Sequence, residues 1–84
     1  MTQRKLNELQ NGERGIIERV TGTGRFRHRL MEMGFVSGAE IVVEKCAPLK
    51  DPIEYVLKGY HISLRHEEAE KILVRKPEEE TRED

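Results

Sequence analysis

Tryptophan is absent from this 84-residue chain, and only Phe26, Phe35, Tyr55 and Tyr60 are aromatic. Strand parity sends most of these rings inward, which leaves no row of exposed rings for bases to stack on. There is one cysteine, Cys46, so no internal disulfide can staple the fold. A lone thiol behind a polar start, Met1 to Lys5, fits a reducing cytoplasmic compartment. No apolar run approaches the roughly 20 residues of a membrane span, so no direct membrane insertion is expected. Neither sign of charge dominates: 15 Lys and Arg face 16 Asp and Glu, a net of −1. The balance is uneven along the chain. Residues 76–84 set Glu78, Glu79, Glu80, Glu83 and Asp84 against Lys76 and Arg82, a net of −3, which leaves +2 on residues 1–75. That excess is too small for a phosphate-backbone footprint, so no nucleic-acid partner is expected.

Catalytic patterns are missing as well. No serine pairs with a histidine in a nucleophile elbow, and Gly22-Thr23-Gly24 has neither the lysine nor the spacing of a phosphate loop. The possible metal ligands are His28, His61, His66, Cys46, Glu32 and Asp51, scattered with no CxxC or HxxxH pairing. Closed metal sites show close paired spacings, so no metal site and no cofactor is expected here. The chain reads as a non-enzyme.

What is present is a set of short alternating runs around one amphipathic segment. Gly15 to Val20 is a strand rich in Ile and Val, in which Ile17 and Val20 share a face only if a bulge intervenes. Arg25 to Met33 is a helix. At about 100° per residue, Phe26, Leu30 and Met33 fall in one arc, with Thr23 as N-cap and Gly34 as the stop. Arg25, Arg29, His28 and Glu32 take the wet side, and Met31 projects opposite the stripe beside Arg27. Glu40 to Cys46 alternates with Ile41 and Val43 inward. Pro48 and Pro52 cannot donate ladder hydrogen bonds, so residues 47–52 form a loop. Ile53, Tyr55 and Leu57 alternate next. Lys58-Gly59 turns the chain into Tyr60, Ile62 and Leu64. Residues 67–71 make one helical turn, and Ile72 to Val74 closes the pattern.

The expected fold is mainly β. It is one domain over residues 1–75, an SH3-like barrel of about five strands with one α-helix and a short helical turn, followed by a disordered acidic tail over 76–84. A core this thin leaves a net stability of about a few kcal/mol.

Set in order, Leu6, Leu9 and Gly12, Arg29-Leu30, Met33-Gly34-Phe35, Gly38, Ala47-Pro48-Leu49, Asp51-Pro52-Ile53, Gly59, Ile62-Ser63-Leu64-Arg65, Glu68-Ala69, Ile72 and Val74 closely resemble the ferrous iron transport protein A family, FeoA. Lys50 stands where many members carry glycine. The resemblance implies an SH3-like barrel and a cytoplasmic accessory role in ferrous iron uptake beside the membrane transporter FeoB. It also implies kinship with the barrel of iron-dependent repressors. That kinship gives the alternative of a metal-responsive regulatory domain that binds a transition metal ion weakly. The expected contact surface joins Arg27, His28 and Met31 on the outer helix face to the loop Pro48, Leu49, Lys50, Asp51 and Pro52, where proline stiffness lowers the entropy lost on docking. The expected state is a monomer or a weak homo-oligomer.

Overall fold

Alternation makes the strands, and the computed structural model, which describes residues 3–45 and 51–77, sets them in one antiparallel sheet. Among the described residues the strands are β1 (Arg4–Lys5), β2 (Arg14–Val20), β3 (Glu40–Lys45), β4 (Ile53–Leu57), β5 (Tyr60–Leu64) and β6 (Ile72–Arg75). A 3-10 turn, Leu6–Glu8, follows β1. The helix α1 (Gly24–Met33) joins β2 to β3, and the single turn α2 (His66–Ala69) joins β5 to β6. The spatial order is β1-β6-β2-β3-β4-β5. Six strands therefore stand where the sequence pattern counts about five. The extra one, β1, is two polar residues paired to Val74 and Leu73, too short to alternate. The sheet does not close, because β1 and β5 each pair on one side only. The acidic stretch 78–84 and the loop residues 46–50 lie outside the described residues.

β3, β4 and β6 each bury one face, while on β5 only Leu64 is buried. Ile17 and Val20 both face the core although they are three residues apart, because the β2–β6 register shifts between Ile17 and Arg19. That is the bulge the spacing requires. Ile41 and Val43 of β3, and Ile53, Tyr55 and Leu57 of β4, are buried as their parity dictates. Leu57 and Tyr60 close a two-residue turn in which Lys58 (φ 53°) and Gly59 (φ 84°) both take the left-handed conformation favoured in hairpins. Tyr60 departs from the pattern. Its parity places it inward, yet it is 68% exposed, because it opens an edge strand beside the turn.

The helix stops as glycine chemistry demands. Gly34 takes φ 111°, and its N–H donates to Met31 O at 3.1 Å. The N–H of Phe35 donates to Leu30 O at 3.0 Å, which completes the paired six-to-one and five-to-two bonds of a Schellman stop. This turn drops Phe35 into the core beside Leu30. Met33, expected in the buried stripe, is instead 39% exposed. The helix ends its last turn there, and Phe35, just past the Gly34 stop, is the residue that is buried. Thr23 occupies the N-cap position with extended backbone and no side-chain capping bond.

At the sheet's other end Arg4 Nη1 donates to Glu13 Oε2 at 2.8 Å, and Gln10 N–H donates to Glu13 Oε1 at 2.9 Å. The Arg4 hydrogen bond, helped by that backbone N–H, holds the Glu13 carboxyl below the ordinary carboxylate range. A carboxyl lowered in the fold contributes stability above its unfolded pKa, and the contribution is lost as pH falls through the folded value. Glu13→Gln should therefore flatten the acid limb of the stability curve and leave the limb above neutrality unchanged. Denaturation midpoints across an acid-to-neutral pH series check this. A full acid limb in Glu13→Gln would put the proton uptake elsewhere.

Candidate functional site

The outer face of α1 is built from charged side chains over a thin attachment. Of its ten residues, all described, Leu30 alone is buried, and Phe26 packs half-buried against the core. The backbone at Gly22 leaves room for the Phe26 ring, since a Cβ there would lie 2.5 Å from Phe26 Cδ2. Lys71 Nζ sits 5.1 Å from the same ring centroid, a cation–π contact that ties α1 to the segment leading into β6. At the helix's far end a Cβ on Gly34 would stand 3.5 Å from Leu57 and 3.6 Å from Lys58, so the stop abuts the β4–β5 turn.

Outside this attachment the helix is wet. Gly24, Arg25, His28, Arg29 and Glu32 line a shallow open depression along it. His28 Nε2 lies 3.0 Å from Glu32 Oε2 one turn on. Arg29 Nη2 lies 3.7 Å from Glu68 Oε2 of α2. Met31 is 39% exposed, with Met33 and Val36 close to it in exposure. Met31 thus stands on the side of Arg27 and His28, while Met33, two residues on, projects to another side of the helix. Surface ion pairs such as these contribute little stability, so the face stays open to other contacts at small cost.

The expected contact residues divide between those bonded only within the helix face and those tied to other elements. His28 and Met31 are exposed as the helical arc requires. Arg27 is exposed, but its Nε donates to Val20 O at 3.3 Å and so ties α1 to the end of β2. Asp51 is committed too. Its Oδ1 accepts the His66 N–H at 2.8 Å, and its Oδ2 lies 3.9 Å from Arg65 Nη1. Asp51 therefore anchors its loop onto the start of α2. Pro52 is exposed, and Pro48, Leu49 and Lys50 lie outside the described residues.

Sequence reasoning missed the role of α2. Arg29 reaches it at Glu68, and Asp51 reaches it at His66. This four-residue turn therefore contacts both the helix, through Arg29, and Asp51. No signal in the sequence marks it, because both contacts join residues far apart in the chain.

Among the described residues the possible metal ligands meet in pairs only: His28 with Glu32, and His66 with Asp51. His61 Nδ1 pairs with Glu44 Oε1 at 2.9 Å, and His66 Nε2 lies 3.7 Å from Asp51 Oδ1. Among the described residues no three His, Cys, Asp or Glu side chains form a group able to hold a metal ion, and Cys46 is outside that set. No helix among them is long and apolar enough to cross a membrane.

A small, mainly β, SH3-like domain with one outer helix is the class that this fold and surface define. Comparison with known proteins gives the family: residues 4–76 match the model of the FeoA domain, and the chain belongs to the FeoA family. A Porphyromonas gingivalis protein named as a fusion of Fe(2+) transport protein A and the Fe(2+) transporter FeoB is 51% identical over 70 residues. That match covers 83% of this chain and 8% of the relative, so the chain corresponds to a small part of that protein's length. The solution structure of FeoA from Chlorobium tepidum is 40% identical and superposes with a TM-score of 0.81, covering 88% of this chain and 70% of that one. The crystal structure of Stenotrophomonas maltophilia FeoA complexed with zinc, described as a prokaryotic SH3 domain protein, is 27% identical. Its TM-score is 0.78, with 84% of this chain and 88% of that one covered.

Proposed function

We propose that this protein is a cytoplasmic accessory of ferrous iron uptake that modulates the transporter FeoB by direct contact. The observation that carries the reading is the fusion: in a relative 51% identical to this chain, the same domain and FeoB share one polypeptide. A covalent link holds two domains at high effective concentration, and separate chains with the same role must supply that proximity by affinity. The outer face of α1 suits such a task. His28 and Met31 are exposed, the cationic side chains of Arg25 and Arg27 flank them on the helical arc, and the surface needs little rearrangement on docking. The partner patch it fits is acidic and partly apolar. The exposed Pro52 extends the same side through Asp51 and α2.

The test is capture of FeoB from a native membrane extract by the immobilised full chain, beside a deletion ending at Arg75. Retention of FeoB by both forms is the expected result. Retention by the full chain alone would move the contact to the acidic residues that follow, and no retention by either would end the contact reading.

A further inference from the structure

The two ends of the sheet are unlike. β1 is two residues long, which blunts that edge, whereas β5 runs for five residues without proline, lysine or a register shift. Native sheets guard long edges with such devices, and an edge without them offers its outer N–H and C=O groups to another strand. The outward groups on β5 can be assigned. Leu57 and Tyr60 close a two-residue turn, and residues flanking such a turn exchange both ladder bonds. The same phase makes Ile62 and Leu64 bond to β4. His61 and Ser63 then aim their backbone N–H and C=O groups away from the sheet. Neither has another backbone partner among the described residues.

We infer that β5 is a pairing edge and that its occupant is β5 of a second copy of this chain, antiparallel about a two-fold axis at Ile62. The edge is self-complementary in this register. His61 of one copy faces Ser63 of the other, and each pair exchanges two hydrogen bonds, so all four outward groups of each strand are satisfied. On the core side Ile62 faces Ile62, and the exposed Tyr60 ring faces Leu64 of the other copy. On the outer side each His61 keeps its own Glu44, so no like charges stand directly opposite. A seam of five residues is smaller than a stable interface, so the association is weak and depends on concentration. The paired strand includes no residue of α1, and the inference stands or falls independently of docking to FeoB.

Sedimentation equilibrium of the full chain, from micromolar to millimolar, should show the mass rising from one chain toward two. Ser63→Pro removes only an outward N–H, which edge strands tolerate. It should keep the denaturation midpoint and stay at single-chain mass throughout. In the unmodified protein, hydrogen exchange at the His61 and Ser63 amides should slow as concentration rises, a readout that holds even if the proline variant folds poorly. A single-chain mass at every concentration overturns the inference. So does association that survives Ser63→Pro, or exchange at the two amides that ignores concentration.

Discussion

Leu30→Ala should lower the unfolding free energy by about 2–5 kcal/mol, a large part of what a domain this small has. Leu30 is the buried anchor of α1, and the chain's return through Phe35 is bonded to its carbonyl. Truncation removes that contact and leaves a void under a helix otherwise held by half-buried Phe26, the Arg27 bond to Val20, the Lys71 contact, the Arg29–Glu68 pair and the Gly34 stop. Denaturant titration measures the effect: the midpoint should fall while the slope changes little, since the same surface is exposed on unfolding. Met33→Ala, on the same arc but exposed, should shift the midpoint far less. Equal shifts for the two would mean that the stripe is buried across both residues and that the stop at Gly34 is misplaced.

Met31→Glu is expected to preserve that midpoint and to weaken capture of FeoB by on the order of a hundredfold, about 2–3 kcal/mol. The site is exposed and glutamate is a good helix former, so the fold has no reason to respond. At an acidic, partly apolar partner the new carboxylate would be desolvated and unpaired. Arg25→Glu should act in the same direction and reduce the salt dependence of binding. Arg25 makes the cleaner charge test, because Arg27→Glu would also cut the bond to Val20 O. Binding assays of these variants against the cytosolic part of FeoB decide the matter. Undiminished binding in both Met31→Glu and Arg25→Glu would remove the interface from α1.

What the sequence makes legible here is what depends on neighbours in the chain. The alternation of β3 and β4, the Lys58-Gly59 turn, the glycine stop at Gly34 and the β2 bulge forced by Ile17 and Val20 all follow from local stereochemistry and parity. What it hides depends on distant packing. Met33 lies on the correct arc, yet it is exposed and Phe35, past the stop, is buried. Tyr60 has inward parity but stays exposed where the edge strand β5 leaves its turn. The strand β1 is two polar residues given shape by β6. On the surface the same divide appears. The exposure of His28 and Met31 is legible from the helical arc. The commitments of Asp51 to the His66 N–H, and of Arg29 to Glu68, join residues that only the folded chain brings together.

The thin attachment of α1 has a consequence for how such a protein can change over time. Arg25, His28, Met31 and Glu32 contribute nothing to the core, so substitutions among them are nearly neutral for folding. On the proposed contact, stability and partner choice fall to separate sets of side chains on one helix. Drift on the outer set can follow a changing partner surface while Leu30 and the Gly34 stop keep the scaffold constant.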